Sequence, residues 1–390
     1  MTDNSIPTVA VFAATRADLS PLGPVIALLA ESPCHRVVLV ASSAVGSTEH
    51  GNPLADLGLH TLEVRWLRGD LAQTSVSGQT RAGAELSSDL SRALDEVRPD
   101  AFVVLGDRWE LLYVVPPVVI RGVPLVHLHG GEVTEGAIDD RVRHAVTKLA
   151  DIHCVSTEDA ADRVRQLGEP ASRVFVTGAP GLDRVVGTRA ATESDLAELL
   201  GRPVRRPLAL VTYHPVTVGG LDPRRGAANV LSAVAKTCGS AIITHPGMDQ
   251  GRDAVLEEVR RVTAGQDGMI EVPALGRGYL SVLGAVDVVV GNSSSGVVEA
   301  ASFGTPVVNV GDRQRGRPTG ANVITCGESE EAIEAAIKTC LTPDFAAAAR
   351  QVVNIYGDGQ SAPRVVAAID LALRHDLARK PFVDLKGRTS

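Results

Sequence analysis

The sequence has few aromatic residues, few cysteines and no excess of positive charge. Only 3% of its 390 residues are aromatic and 44% are hydrophobic, so the core must be built from Val, Leu, Ala and Ile. The net charge of −8 argues against a general basic surface for nucleic acid or anionic membrane. The cysteines show neither CxxC pairs nor Cys/His metal spacing, a pattern typical of reduced thiols in a cytoplasm; they are Cys34, Cys154, Cys238, Cys326 and Cys340.

Long apolar runs are also missing. No stretch approaches the ~18 uninterrupted apolar residues of a membrane helix. The first residues, MTDNSIPTVAVFAATR, lack the basic region and the long apolar region of a signal peptide. We therefore expect a soluble cytoplasmic protein with neither a nucleic-acid partner nor a membrane partner.

Short apolar runs alternate with helical patterns along the whole chain. Runs such as TVAVFAAT, AFVVLGD, LALVTYH and VDVVVGN are apolar throughout, which indicates parallel strands covered by helices on both faces. This repetition predicts an α/β protein with two doubly wound, Rossmann-like domains that face each other across a cleft.

A more polar segment, GLDRVVGTRAATESDLAELLGRPVRRP, separates the two halves and is typical of a linker followed by a short helix. We therefore expect an N-terminal domain over residues 1–188 and a C-terminal domain over 189–361. The last segment, APRVVAAIDLALRHDLARK, is amphipathic and predicts a helix within residues 362–390 that packs back on the N-terminal domain.

Polar residues capable of binding or catalysis follow many of the predicted strands. In open α/β sheets, ligands bind outside the carboxyl ends of the strands. A chain that only needed to turn would use Gly, Pro, Asn and Asp there, not Arg and His. We interpret the set as an interdomain ligand site; it comprises Thr15 to Asp18, Gly106 to Arg108, His127 to Glu132, His214, His245 and Asn292 to Ser295.

The stretch GNSSSGVVEAASFGTPVVNVG places three serines between an apolar strand (Val286 to Val290) and a small-residue helix. Serines at this position cap helices in any protein. Hydroxyls and free N–H groups at a helix start also bind phosphate. The stretch taken alone fits both interpretations.

Six motifs together resemble one family, the hydrolysing UDP-N-acetylglucosamine 2-epimerases of sialic-acid-type sugar biosynthesis. They are LGDRWE, HLHGGEVTEGAIDDRVRHAVTKLAD, VFVTGAPGLD, VTYHPVT, GNSSSGVVEAASFGTPVVNVGDRQRGR and NVI, in order from about Val9 to the final helix. The resemblance implies a GT-B-like fold in which the C-terminal domain holds most of the nucleotide. It also implies a homodimer. Such enzymes eliminate the nucleoside diphosphate and add water to the resulting glycal, which releases a free 2-epimerised sugar. Because the cysteines and the dispersed histidines lack metal-ligand spacing, and elimination assisted by arginines needs no metal, we expect neither a cofactor nor a metal ion.

The resemblance assigns catalytic residues mainly to the N-terminal half. Because the proton on sugar carbon 2 is a weak acid, its removal needs a positioned base. Asp107 and Asp139 match the family's acid/base positions, and Arg143 would face the same way as Asp139 one helical turn on. Some family members have Glu where this sequence has His129, so either His129 or Glu132 could handle a proton. Asp107 could instead cap a helix, and His129 could be a buried structural histidine.

The C-terminal half supplies most of the expected ligand contacts. His214 matches a family histidine near the diphosphate, where it could donate to a phosphate oxygen or protonate it. Serine hydroxyls would bind the diphosphate, and arginines would supply the positive charge that the acidic chain lacks. The substrate-binding residues implied by the resemblance are Arg16, Asp18, Arg108, Ser293, Ser294, Arg313 and, for the ribose hydroxyls, Glu299.

Other functions remain open at this point. A GT-B-type glycosyltransferase, an epimerase or hydrolase for a different nucleotide sugar, or a binding module without catalysis would share the architecture. The acids near carbon 2 argue against a transferase. Where family members commonly have His, Asn and Tyr, this sequence has Val45, Gly247 and Leu19. We therefore expect retained chemistry on an altered substrate, with neutral drift as the alternative.

Overall fold

The structure, a computed structural model, describes residues 6–46, 53–69, 71, 75–134, 138–216, 221–247, 251–374, 377 and 380–384. The chain divides into two compact units. The first comprises the residues up to Glu132, Ile138–Arg184 and the residues from Tyr356 onward, and the second consists chiefly of Val185–Ile355. The C-terminal helix therefore belongs to the first unit.

The first unit is built on one parallel sheet. Its strands are β1 (Thr8–Ala13), β2 (Arg36–Ser42), β3 (Glu63–Leu67), β4 (Ala101–Leu105), β5 (Leu125–Leu128), β6 (Ile152–Val155) and β7 (Val174–Val176). Over the described residues the strand order is β3-β2-β1-β4-β5-β6-β7. The winding reverses between β1 and β4, and ligands bind at such a switch point in open α/β sheets.

The second unit repeats this winding. Its strands are β8 (Leu208–Thr212), β9 (Ser240–Thr244), β10 (Met269–Val272), β11 (Val288–Gly291), β12 (Val307–Val310) and β13 (Val323–Cys326). The order over the described residues is β10-β9-β8-β11-β12-β13, so the switch point lies between β8 and β11. Gly291 at the end of β11 has φ 142°, and a Cβ there would lie 2.0 Å from the Thr212 carbonyl oxygen, so only glycine fits.

Helices cover both faces of each sheet. In chain order they are α1 (Arg16–Glu31), α2 (Pro53–Asp56), α3 (Val76–Val97), α4 (Leu111–Ile120), α5 (Ile138–Leu149), α6 (Glu158–Gln166), α7 (Glu193–Leu200), α8 (Pro223–Thr237), α9 (Arg252–Thr263), α10 (Tyr279–Leu283), α11 (Ser294–Val298), α12 (Glu330–Cys340), α13 (Pro343–Ala349) and α14 (Ser361–Arg374). Within the described ranges, none of the helices has the length and apolar character needed to cross a membrane.

The core of the first unit lies in two layers, one on each face of the sheet. Strand β1 contributes Val9 and Val11 to the layer under α1 and α14, and Ala10 and Phe12 to the layer under α3, α4 and α5. Successive side chains of a strand point to opposite faces, so a strand buried on both faces must be apolar throughout. This explains why the strands appear as continuous apolar runs in the sequence.

The helix after the three serines is present but short. Helix α11 has 5 residues, and a 3-10 turn over Ala300–Phe303 follows it before Gly304 ends the segment with φ 66°. Gly296 and two valines give this segment low helix propensity. A helix this short contributes little dipole, so hydroxyls and side-chain cations must dominate any phosphate binding there.

Candidate active site

The buried guanidinium of Arg143 lies at the centre of the site in the first unit. Its side chain is 1% exposed, and its Nη2 donates to the Asp107 carboxylate. Its Nη1 donates to the main-chain oxygen of Glu132 at 2.9 Å and to Asp140 Oδ1 at 3.4 Å. A buried cation is stable only with such partners. Arg143 therefore connects the ends of β4 and β5 to the first turn of α5.

Asp107 and Asp140 are the two more accessible members of this cluster. The side chain of Asp107 is 23% exposed, so one face can meet a ligand while the other accepts from Arg143. A carboxylate has two oxygens with about four acceptor sites between them, so Asp107 keeps acceptor capacity for a ligand beside Arg143. The partner of Arg143 on its own helix is Asp140, the neighbour of the predicted Asp139.

Two further predicted residues, Asp139 and Arg16, lie in the first turns of helices. Asp139 is half-buried in α5, and Arg16 is the half-buried first residue of α1. The charge of Asp139 is one of several that raise the pKa of Arg108. These positions at strand-to-helix turns agree with the rule that placed the site at strand ends.

His129 and Glu132 form a hydrogen-bonded pair after β5. His129 Nδ1 lies 2.6 Å from Glu132 Oε1, and Ser156 Oγ donates to the same oxygen at 2.8 Å. Because a carboxylate only accepts, Nδ1 carries the hydrogen, and the neutral ring leaves Nε2 with a lone pair. The side chain of His129 is 19% exposed, whereas that of Glu132 is 9% exposed. His129 therefore has the free proton acceptor, and Glu132 orients it.

The backbone of this turn is unusual. His129 has φ 61°, a conformation that costs a non-glycine residue on the order of 1–3 kcal/mol. The amide of His129 donates a hydrogen bond to the Cys154 carbonyl oxygen at 2.9 Å. A Cβ on Gly131 would lie 2.2 Å from the Ala160 oxygen, so the second glycine of HLHGGE allows close packing against α6.

Arg108 and Asp18 lie at the switch point of the first sheet. Arg108 Nη2 donates to Glu110 Oε1 at 2.7 Å, and Glu110 is fully buried. Burial alone would lower the pKa of Arg108, but Glu110 and Asp18 raise it. Asp18 Oδ2 accepts from the amides of Ala14 and Thr15, both at 2.8 Å. Burial raises the pKa of Asp18, and the charge of Arg108 opposes that effect. Asp18 thus stabilises the turn that starts α1.

In the second unit, buried Asn292 fixes the position of His214. Asn292 Oδ1 accepts from the His214 amide at 2.7 Å, and Nδ2 donates to the His214 carbonyl at 2.9 Å. The Asn292 carbonyl accepts from Arg313 Nη1 at 3.1 Å and from Gln314 Nε2 at 2.9 Å. The amide of Gly247 donates to His214 Nδ1 at 3.1 Å, so in the neutral ring Nε2 carries the hydrogen. His214 is therefore arranged as a hydrogen-bond donor.

The three serines at the start of α11 have different environments. Ser293 is the N-cap and accepts from the Ser295 amide at 3.4 Å. Ser295 Oγ bonds the hydroxyl of half-buried Tyr279, whereas Ser294 is exposed. Glu299 is half-buried at the end of the helix. Ser293 can therefore cap the helix while the exposed Ser294 hydroxyl remains accessible to a ligand.

Sequence reasoning did not single out Glu110 and Ser156, and it placed His127 and Asn292 in the strand-end set without a specific role. All four residues are buried and organise these groups. Most of their partners are distant in sequence, so a polar residue beside a strand-end motif was the available signal; the exception is Glu110, which bonds Arg108 two residues away. Asn292, for example, bonds a residue 78 positions away.

Comparisons with known proteins identify the family of this chain. Residues 35–370 match the family described as UDP-N-acetylglucosamine 2-epimerase. The chain is 32% identical over 295 residues to the UDP-N,N'-diacetylbacillosamine 2-epimerase (hydrolyzing) of Legionella pneumophila, covering 76% of this chain and 77% of that protein. It is 34% identical over 240 residues to the GDP/UDP-N,N'-diacetylbacillosamine 2-epimerase (hydrolyzing) of Campylobacter jejuni, covering 61% of this chain and 62% of that protein.

The fold is also similar to that of solved structures. The S. aureus MnaA structure with UDP has a TM-score of 0.78 at 18% identity, over 98% of this chain and 100% of that chain. At this identity the likeness concerns the fold alone. The predicted GT-B-like α/β class with two Rossmann-like domains is confirmed.

Proposed function

Because the chain belongs to the UDP-N-acetylglucosamine 2-epimerase family, we propose that it converts a UDP-linked 2-acetamido sugar into UDP and the free 2-epimerised sugar. The observation that carries this proposal is the His129–Glu132 pair beside the Asp107–Arg143 ion pair. Proton removal from a weak carbon acid needs a base with a lone pair and a partner that stabilises its protonated form. His129 Nε2 and the Glu132 carboxylate provide these two elements.

The first half-reaction is an elimination. His129 Nε2 takes the proton from sugar carbon 2, and the electrons of the C–H bond form the double bond between carbons 1 and 2. The bond from carbon 1 to the phosphate oxygen breaks, and UDP leaves with that electron pair. The imidazolium formed on His129 is stabilised by Glu132, to which Nδ1–H donates.

The second half-reaction is a hydration. Water adds its oxygen to carbon 1 of the glycal, and a proton is delivered to carbon 2 on the face opposite the first abstraction. We assign Asp107, whose carboxylate accepts from Arg143, to accept the proton of the attacking water. We assign Asp139 to the remaining acid/base step, because it lies on the same helix as Arg143.

We assign the nucleoside diphosphate to the residues of the second unit. His214 Nε2–H, the exposed Ser294 hydroxyl and the Arg313 guanidinium can each donate to phosphate oxygens. Donors aimed at the leaving group stabilise the negative charge that develops as the carbon–oxygen bond breaks. Glu299 is assigned to the ribose hydroxyls, and Arg16 and Arg108 are also assigned to substrate binding.

The substrate is proposed to be a modified relative of UDP-N-acetylglucosamine. Gly247, whose amide donates to His214 Nδ1, stands where a hydrogen-bonding side chain is common in the family, which favours an altered contact beside His214. Leu19 and Val45, at two other such positions, are buried in the hydrophobic core. The Legionella and Campylobacter relatives are named for diacetylbacillosamine substrates, which favours such a sugar. We also propose a homodimer, which the resemblance to the family implies, and a cytoplasmic location, which the pattern of cysteines favours.

A panel of nucleotide sugars tests this function. UDP-N-acetylglucosamine, UDP-N,N'-diacetylbacillosamine and a GDP-linked analogue are incubated with the protein, and released nucleotide and free sugar are identified by mass spectrometry. We expect UDP and a 2-epimerised free sugar, with the diacetylated substrate preferred. Asp107→Asn is the matched control and should release almost none. Hydrolysis without epimerisation, or turnover only with an added sugar acceptor, would contradict the proposal.

A further inference from the structure

The buried histidine of strand β5, His127, has hydrogen-bond partners on both ring nitrogens. Its side chain is fully buried. Nε2 lies 2.7 Å from the Gly106 carbonyl oxygen, and Nδ1 lies 3.2 Å from Thr147 Oγ1. His127 is the first histidine of HLHGGE, two residues before His129, and the proposed reaction steps do not use it.

The partners define one protonation state for this ring. A carbonyl oxygen only accepts, so Nε2 must carry a hydrogen. Burial lowers the pKa of His127 to about 3, so the ring is neutral and Nδ1 is an acceptor. The Thr147 hydroxyl must therefore donate to Nδ1. In this arrangement every hydrogen-bonding group of the imidazole is used.

The bridge formed by Gly106, His127 and Thr147 joins the segments that carry the candidate acids. Gly106 directly precedes Asp107, and Thr147 lies one helical turn after Arg143 on α5. The turn with His129 lies against the same bridge: a Cβ on Gly130 would be 2.9 Å from Thr147 Oγ1 and 3.0 Å from His127 Nδ1.

From this arrangement we infer that His127 is a positioning residue: its hydrogen bond to the Gly106 carbonyl sets the orientation of Asp107 relative to His129. The inference rests on the proposed function, in which Asp107 and His129 act on one sugar. Acid/base groups lose efficiency steeply when displaced by about 1 Å, so a bond that fixes the peptide before Asp107 has a kinetic effect. A role in core packing alone would instead make any polar replacement of similar size equivalent.

Two substitutions at His127 separate these possibilities. In His127→Gln the side-chain amide nitrogen reaches the position of Nε2 and can still donate to Gly106. In His127→Asn the amide nitrogen ends near the position of Nδ1, so the bond to Gly106 is lost. Thr147→Ser keeps the hydroxyl of the bridge, and Thr147→Val removes it while keeping the shape.

The test is steady-state kinetics of these variants on the substrate found in the panel, with UDP affinity from calorimetry. We expect His127→Asn to lower kcat about 100-fold, with KM and UDP affinity within about threefold of wild type. The kcat of His127→Gln should be about tenfold higher than that of His127→Asn, and the kcat of Thr147→Val should be lower than that of Thr147→Ser. Circular dichroism at the assay temperature ensures that only folded variants are compared.

Two outcomes would overturn the inference while leaving the proposed function intact. One is equal loss of kcat in the Asn and Gln variants, which points to packing. The other is an Asn variant as active as wild type. If wild-type protein releases no UDP from any sugar of the panel, the proposed function fails instead.

Discussion

The neutral state of His127 has a consequence for stability that can be calculated. Burial holds its pKa at about 3 in the folded protein, against an ordinary value of 6.5. Because the folded pKa is depressed, the unfolded chain binds more protons between these two values, and stability falls as pH falls through this window. The contribution is fully present above pH ~6.5 and decreases by about 1.4 kcal/mol per pH unit below it. Between pH 7 and pH 5 the loss is therefore about 2 kcal/mol.

Urea unfolding, followed by tryptophan fluorescence, measures this loss of stability in the first unit, which contains His127. The 2 tryptophans of the chain, Trp66 and Trp109, both lie in the first unit. Other groups also titrate in this range, including His153, whose pKa burial lowers. His127→Gln is therefore measured in parallel, because Gln does not titrate and the difference between the two proteins cancels the shared groups.

The free energy of unfolding of wild type, minus that of His127→Gln, should fall by about 2 kcal/mol from pH 7 to pH 5. A difference that stays constant over this range would mean that His127 has an ordinary pKa in the folded protein. The single tautomer on which the bridge to Gly106 depends would then be refuted.

Two further predictions concern the division of roles between the units. Asp107→Asn should lower kcat about 100-fold or more and leave UDP affinity nearly intact, whereas Ser294→Ala and Arg313→Ala should weaken UDP binding; calorimetry that found equal affinity losses in all three variants would contradict this division. His214→Gln, which keeps a donor at the position of Nε2, should retain kcat within about tenfold of wild type, because His214 donates a hydrogen bond rather than a proton; a kinetic loss as large as that of Asp107→Asn would identify it as the acid.

The sequence allowed prediction of almost all strands and of the family. Strands buried on both faces must be apolar throughout, so they are visible as runs. Strand β3 was missed because it lies at an edge of the sheet, where Glu63 and Arg65 alternate with apolar residues. The helix after the serines was predicted, but its length was not, because Gly296 and the valines beside it end it early.

The residue types of the site could be predicted from the sequence, but the hydrogen bonds between those residues could not. Strand ends identified His129, Glu132 and Asp107, because parallel strands bring their carboxyl ends to one edge of the sheet. The bond from Arg143 to Asp107 spans 36 residues, so only the folded chain reveals it. The same holds for His127: a histidine inside an apolar strand gives no sign of a partner on each nitrogen.

The most direct test of the elimination mechanism is turnover in deuterium oxide, with the free sugar analysed by proton NMR and mass spectrometry. Elimination and hydration exchange the hydrogen on carbon 2 with solvent, because His129 removes one proton and another is delivered to the opposite face. We predict one deuterium at carbon 2 of the 2-epimerised product, with unreacted substrate unlabelled under single-turnover conditions. A product that retains its original hydrogen at carbon 2 would contradict proton abstraction by His129 and the mechanism built on it.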